Sequence, residues 1–139
     1  MEPLKQKTSP TKDDAITNTL QRRNKMNQLV RTTMALDLVR RAVGGDIESQ
    51  GVAVLYNVMN NDPDPVTIND LMRLVGASHG SISRYLRLLG SADDHPRGGK
   101  CHELVMCVED PSDRRRKLVT LSPKGRRLRS ALSSLLTHV

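Results

Sequence analysis

The fold is decided by residues 65–122, which contain PVTINDLMRLVGASHGSISRYLRLLG at 65–90 and ELVMCVEDPSDRRRKLVTLS at 103–122. The first stretch predicts two helices joined by a tight turn, because apolar residues recur at helical spacing on both sides of Gly76. The second stretch predicts a β-hairpin, because two short β-rich runs flank the turn-prone residues 110–113. A helix pair followed by a basic hairpin is the pattern of a winged helix-turn-helix.

Both helices of the pair have sequence signals for their first turn. Thr67 can cap the first helix, because its hydroxyl can accept a free backbone N–H, and Asp70 completes a capping-box pattern. Ser78 can cap the second helix in the same way. The apolar stripe of the second helix consists of Ile82, Tyr85, Leu86 and Leu89.

The opposite face of the second helix is polar and basic. Short hydroxyl side chains permit close approach to a duplex, and arginine can donate two hydrogen bonds to guanine. We therefore predict that this helix enters the major groove and that its DNA-binding residues are His79, Ser81, Ser83, Arg84 and Arg87. The alternative is an ordinary amphipathic helix hairpin with a solvated basic face, because this geometry also occurs outside DNA-binding proteins.

A run of four cations follows the turn of the predicted hairpin. Adjacent like charges repel one another unless a polyanion lies nearby, and a DNA minor groove or a phosphate pair supplies one. We predict that Asp113 forms a salt bridge that fixes the direction of one arginine. The predicted DNA contacts of this wing are Asp113, Arg114, Arg115, Arg116 and Lys117. The alternative is a solvated charged turn.

The run DPSDRRRKLVTL at 110–121, followed by SPKG, resembles the wing and the start of the last helix in MarR-type winged-helix regulators. SISR at 81–84 resembles the core of the family's recognition helix. The matching wing positions are Asp113, Arg115, Leu121, Ser122 and Gly125. The chain departs from the family pattern after Gly90, where SADDHPRGGKCH precedes the wing.

The resemblance covers the chain from about residue 15 onward. It implies a mainly α fold with a small β-wing (α+β) and a homodimer on pseudo-palindromic DNA. It also implies that the wing arginine enters the minor groove and that the aspartate orients it. Members of the family often bind small-molecule effectors between the dimer helices and the DNA-binding lobes, but no residue here identifies such an effector.

Composition narrows the class of partner. The chain has 139 residues, a net charge of +7 and a pI near 9.9, so we expect an acidic partner. Two Tyr and no Phe or Trp argue against binding of single strands by base stacking. No apolar run approaches the ~18 residues of a membrane span, and the N-terminus lacks the apolar core of a signal peptide. We expect a cytoplasmic protein that binds double-stranded DNA and no membrane.

We predict a disordered tail at residues 1–13 and a single winged-helix domain at residues 14–139. Helices at about 14–43 and 123–139 should dimerise, because a small monomer offers too little core to cover both apolar stripes. The predicted dimer contacts are Leu29, Leu36, Leu128, Leu132 and Leu135. The alternative is that the two helices pack on each other within one chain.

The sequence gives little support for metal binding or catalysis. Cys101 and Cys107 are spaced more widely than a Cys-x2–4-Cys zinc pair, and no second pair exists, so we predict neither a metal nor a cofactor. No catalytic triad or carboxylate pair stands out, and Gly98-Gly99-Lys100 is too short for a phosphate-binding loop, so we predict no enzyme.

The function predicted from the sequence is a sequence-specific DNA-binding transcriptional regulator that represses by occupying a promoter. The first alternative is a winged-helix module that inhibits or bridges a protein partner, and its binding would survive high salt. The second alternative is a non-specific DNA-coating protein, which would show no preference between sequences.

Overall fold

The computed structural model describes residues 11–45, 47–90 and 101–137. Within these ranges the elements are α1 (Lys12–Val43), α2 (Ser49–Asn61), β1 (Val66–Thr67), α3 (Ile68–Val75), α4 (His79–Leu89), β2 (Val105–Asp110), β3 (Asp113–Leu121) and α5 (Pro123–Leu136). The fold is mainly helical with one small sheet, as predicted. None of the helices in the described ranges combines the length and apolar character of a membrane span.

The long first helix begins two residues earlier than predicted. Thr11 caps it, and its hydroxyl accepts a hydrogen bond from Asp14 N at 3.3 Å. The prediction of a disordered tail at residues 1–13 lies mostly outside the described residues. Gly44 ends the helix in the left-handed conformation, with φ of 80°.

The helix pair α3–α4 begins and ends where its local sequence predicts. Thr67 Oγ1 accepts from Asp70 N at 3.1 Å, and Asp70 Oδ2 accepts from Thr67 N at 3.2 Å. Gly76 ends α3 with φ of 71°, which favours glycine. Ser78 then caps α4 by accepting from Ser81 N at 3.2 Å. These caps fix the angle at which α4 leaves the turn.

The three strands form an antiparallel sheet in the order β1-β3-β2. The central residue Val119 lies opposite Val66 on one side and Cys107 on the other. Val66 pairs because the loop before α3 passes along the free edge of β3, which supplies hydrogen-bonding groups to an extended segment.

Residues 102–104, which precede β2, lie beside the last residues of α4 and are hydrogen-bonded to them. His102 N donates to Leu88 O, Glu103 N donates to Gly90 O, and Leu104 N donates to Leu89 O, at 3.0, 2.8 and 2.8 Å. These bonds fasten the start of the wing to the end of α4. The departure from the family pattern lies mostly in residues 91–100, which are outside the described ranges.

The core collects apolar side chains from every helix and from all three strands. Its fully buried members include Val39, Leu55, Leu71, Ile82, Leu104 and Leu121. Leu128 and Leu132 belong to this core and are only 8% and 4% exposed. This corrects the prediction that they are dimer contacts, because α5 packs on the C-terminal part of α1 within the chain. Leu29 and Leu36 are exposed, and Leu135 is half-buried.

Candidate nucleic-acid interface

Helix α4 is held by one apolar face, so its opposite face points outward. Ile82, Tyr85, Leu86 and Leu89 are all buried. His79, Arg84 and Arg87 are exposed, whereas Ser81 and Ser83 are half-buried. Ser83 Oγ lies 3.5 Å from His79 Nδ1. The structure therefore brings the predicted recognition-helix residues to the outer face and flanks of one rigid helix.

The wing turns sharply at Pro111 and Ser112. Asp110 Oδ1 accepts from Ser112 N at 2.9 Å and from the Ser112 hydroxyl at 2.7 Å. This local pattern is an Asx turn, which the sequence predicts at an Asp-Pro-Ser run. The hydroxyl bond, followed by the backbone bond, lowers the pKa of Asp110 below its ordinary value. The ionised carboxylate is therefore part of the turn.

The three wing arginines occupy an irregularity of the hairpin. Glu109 lies opposite Lys117, but the next residue, Asp110, lies opposite Asp113. Three extra residues on β3, Arg114 to Arg116, are thus set against one step of β2. Such a bulge bends the strand and increases its twist. The strand β3 begins at Asp113, directly after the turn. The cations lie on a strand rather than in a loop.

The predicted salt bridge of Asp113 is not present. Its Oδ1 accepts instead from the backbone N–H of Arg115 at 3.0 Å, and Asp113 forms no salt bridge with any described residue. The reason is local geometry, because a carboxylate reaches the backbone N–H two residues on without any arginine rotamer being fixed. Asp113 shapes the bulge and leaves the arginine side chains exposed.

A polar groove of about 220 Å³ joins the wing to the helix pair. The wing contributes Asp113, Arg115, Arg116 and Lys117, and α4 contributes His79 at its first residue. The floor is formed by the start of α3, at residues 67–69. Within the described ranges none of the four wing cations forms a salt bridge. The groove thus places three wing cations and Asp113 beside the first residue of an exposed helix face.

Arg84 differs from the other predicted contacts because the protein already holds it. Its Nη2 lies 3.2 Å from Glu48 Oε1, and its guanidinium carbon lies 5.0 Å from the centre of the Tyr85 ring. Sequence reasoning missed Glu48, which is thirty-six residues away in the chain. No local pattern identifies it, because the contact depends on how α2 packs against α4.

Neither cysteine belongs to a metal site in the described chain, where no group of three or more His, Cys, Asp or Glu residues is placed to hold an ion. Cys101 and Cys107 are both half-buried. Cys107 lines a cleft of about 130 Å³ between α4 and the sheet, together with Ser83 and Arg87.

Solved structures of bacterial regulators share this architecture. A mutant of S. aureus MepR bound to an oligodeoxyribonucleotide matches with a TM-score of 0.56 and 20% identity, over 86% of this chain and 75% of that chain. S. aureus MepR bound to ethidium bromide matches with a TM-score of 0.56 and 20% identity, over 85% and 73%. This chain has the winged-helix fold of MepR. A crystal structure of MarR matches with a TM-score of 0.50 and 16% identity, over 76% and 69%.

At these identities the likeness establishes the fold, and the predicted resemblance to MarR-type winged-helix proteins is confirmed at that level. No protein-family model matches the chain, and no curated protein matches its sequence.

Proposed function

We propose that this chain is a sequence-specific regulator that binds double-stranded DNA as a homodimer on a pseudo-palindromic operator and represses transcription. The proposed activity is binding without catalysis, in the cytoplasm. In this proposal Ser81, Ser83, Arg84 and Arg87 read or flank bases in the major groove. The wing arginines enter the minor groove and contact phosphates, and Lys117 takes a phosphate.

The observation that carries the proposal is the groove that joins α4 to the wing. A recognition helix and a wing act on one duplex only if their polar faces border one surface, and His79 at the start of α4 lines the same groove as Arg115 and Arg116 of the wing. The wing cations are exposed and form no salt bridge with the described residues, so their charge is available to phosphates. The net charge of +7 acts in the same direction.

The dimer proposal rests on α1. Leu29 is 68% exposed and Leu36 is 51% exposed, although both lie in a helix of 32 residues. Beside them, α1 and α5 border a largely apolar groove of about 430 Å³ that includes Met34 and Leu135. Apolar side chains exposed along one long helix are typical of a surface that a second chain covers. Two-fold symmetry would then place two α4 helices on two operator half-sites.

The test is selection from random duplex DNA, followed by measurement of affinity for the selected duplex and for a scrambled duplex at physiological salt. Our proposal predicts a palindromic winner with half-sites about 10 base pairs apart. It also predicts binding at least ~10³-fold tighter than to the scrambled duplex. Sedimentation of the complex should give two chains per duplex.

Two other results would replace the proposal. Uniform weak binding to all duplexes would indicate a DNA-coating protein. Absence of binding would favour the protein-interaction module, for which the exposed side chains of Met106 and Val108 on the edge strand β2 offer an apolar contact surface.

A further inference from the structure

Glu48 stands at the start of α2 but does not cap it. Its backbone has the extended conformation of a cap residue, yet its side chain makes no cap hydrogen bond. The carboxylate turns to α4 instead. Glu48 Oε2 accepts from the Tyr85 hydroxyl at 2.6 Å, and Oε1 lies 3.2 Å from Arg84 Nη2. Glu48 therefore serves the recognition helix rather than its own helix.

Tyr85 anchors the carboxylate. The tyrosine is only 3% exposed, so its ring cannot move without disturbing the core. The hydrogen bond that its hydroxyl donates to Glu48 is the main reason that the pKa of Tyr85 is raised. Gln50 Oε1 lies 3.3 Å from the same hydroxyl. The position of the Glu48 carboxylate is thus determined by a buried side chain.

Arg84 is held from one side only. Its Nη2 makes the contact with Glu48 and also lies 3.3 Å from the Tyr85 hydroxyl. Within the described ranges Nη1 and Nε form no hydrogen bond, and 62% of the side chain is exposed. Arg87, one turn further along α4, forms no salt bridge with any described residue. Arg84 therefore combines a fixed direction with donors that face solvent.

We propose that Glu48 is a specificity-determining positioning residue that aims the Arg84 guanidinium at a base edge in the major groove. The inference rests on the DNA-binding function proposed above. An arginine reads guanine through hydrogen bonds that require a particular direction. Held in that direction before binding, the side chain has less conformational freedom to lose.

The Glu48 carboxylate should also lower the affinity for DNA in general, which makes the proposal testable. A negative charge beside the DNA face repels phosphates of every sequence alike. In contrast, fixing the direction of the Arg84 side chain strengthens binding only to a duplex that presents the matching base at that position. Loss of the Glu48 charge should therefore strengthen binding to the scrambled duplex and weaken discrimination, two effects that a merely structural residue would not produce together.

The experiment compares Glu48→Gln with the charge-matched control Asp64→Asn, on the selected and scrambled duplexes. The amide can still accept from the Tyr85 hydroxyl but forms no ion pair with Arg84. We expect Glu48→Gln to lower the ratio of the two affinities by about threefold to tenfold, a part of what a good arginine–base pair contributes. Asp64 is an exposed loop residue whose side chain forms no hydrogen bond or salt bridge with the described residues, so Asp64→Asn should leave the ratio unchanged.

A double-mutant cycle separates positioning from structure. In an Arg84→Ala background Glu48→Gln should have no further effect on the ratio. An equal fall in that background, or no fall in the wild-type background, would overturn the proposal. If Glu48→Gln fails to fold, Tyr85→Phe gives the same test, because it removes the hydroxyl that holds the carboxylate.

A measurement without DNA completes the design. The heteronuclear NOE of the Arg84 Nε–H group in the free protein should fall towards the value of Arg87 in Glu48→Gln. An NOE that is unchanged would show that Glu48 does not hold Arg84. A wild-type protein that prefers no sequence would instead refute the proposed function, which is a different result from a preference that survives Glu48→Gln.

Discussion

Helix α4 and the wing border the same groove, through His79 on the helix and Arg115 and Arg116 on the wing, but the protein holds their side chains in opposite ways. Four buried side chains fix α4, and Arg84 is tied to Glu48 and Tyr85. The wing cations lie on a bulged strand, are exposed, and form no salt bridge with the described residues. The direction of the Arg84 side chain is therefore set in the free protein, whereas no ion pair sets the directions of the wing cations.

In the proposed complex, base edges and phosphates place different demands on the side chains that contact them. Base edges in the major groove carry a distinct pattern of donors and acceptors, so a reader gains from fixed geometry. Phosphates repeat along the backbone and attract any nearby cation, so an anchor gains from side chains that adapt. We therefore expect α4 to act as a fixed reader of bases and the wing to act as an adaptable anchor on phosphates.

The largest effect is expected at the base of the wing. A Cβ on Gly125 would lie 2.1 Å from Leu104 O, a backbone atom that also accepts from Ser122 N. Neither α5 nor the start of the wing can retreat without breaking that bond. We expect Gly125→Ala to lower the free energy of unfolding by at least about 3 kcal/mol, at the upper end of overpacking effects. Urea denaturation of the variant and the wild type measures this difference in the free energy of unfolding.

The matched control is Gly80→Ala on α4. A Cβ there meets nothing within 4 Å, and the residue lies inside a helix. Alanine should therefore stabilise the protein, by about 0.5–1 kcal/mol. Similar stability for the two variants would contradict the close approach of α5 to Leu104.

The next effect concerns DNA binding. Arg115→Ala should weaken binding to the selected duplex by about 1–3 kcal/mol and reduce the salt slope by about one. Because the wing is the adaptable anchor, binding to a scrambled duplex should weaken by a similar factor. Titrations at several salt concentrations measure both quantities.

Arg87→Ala supplies the comparison from the helix. This change should lower affinity for the selected duplex more than for the scrambled duplex, because α4 reads bases in the proposed complex. Unchanged affinity after Arg115→Ala would remove the wing from the interface. Equal loss of discrimination in both variants would erase the division of roles.

Local signals in the sequence were sufficient for the helix pair. Thr67, Ser78 and Gly76 act on neighbours within four residues, so their roles follow from residue type and spacing. The turn at Asp110 was predictable for the same reason. The general position of the recognition helix and the wing also followed, since each has its own apolar pattern.

Contacts between distant segments were not predictable. The pairing of Val66 with Val119 and the contact of Glu48 with Arg84 depend on packing that no spacing encodes. The apolar stripe of α5 correctly predicted which face of the helix is buried. It did not predict what covers that face. Leu128 and Leu132 pack against their own chain, because periodicity identifies a face and not what covers it.

A smaller effect is expected at Thr67, which connects the helix pair α3–α4 to the wing strand β3. It lies opposite Leu118 in the wing strand β3, and its hydroxyl caps α3. Thr67→Ala should lower the free energy of unfolding by about 1 kcal/mol. Thr33→Ala is the control. The Thr33 hydroxyl donates to Leu29 O inside an exposed helix, and alanine is the better helix former, so this change should not lower the free energy of unfolding.

Hydrogen exchange of the Thr67→Ala variant then sharpens the comparison. Loss of protection in α3 and β3 together would mean that the helix pair and the wing share one support. Loss confined to α3 would mean that the wing is held from its other end, by the bonds of Leu104 and Glu103 to α4.

The smallest effect is expected on lowering the pH, which protonates one carboxyl group in the helix pair and one in the wing turn. Hydrogen bonds lower the pKa of Asp70 and of Asp110 below the ordinary 3.8, chiefly the backbone bond with Thr67 and the hydroxyl bond from Ser112. A lowered folded-state pKa gives stabilisation that is complete above the ordinary value and is lost as the pH falls through the folded value. Acid should therefore reduce the free energy of unfolding through Asp70, whose cap supports α3 in the core. Protonation of Asp110 should add to this loss, but the structural change that it causes should be confined to the wing turn.

NMR titration can separate the two carboxyl groups. The Ser112 amide should follow the protonation of Asp110 while the amides of α4 stay unchanged, because α4 does not depend on the turn. Asp110→Asn should keep the turn, since the amide oxygen can accept the same two bonds, and should remove the acid response of Ser112. If the α4 amides moved with Asp110, the wing turn and the recognition helix would be coupled, and the contrast between a fixed reader and an independent anchor would fail.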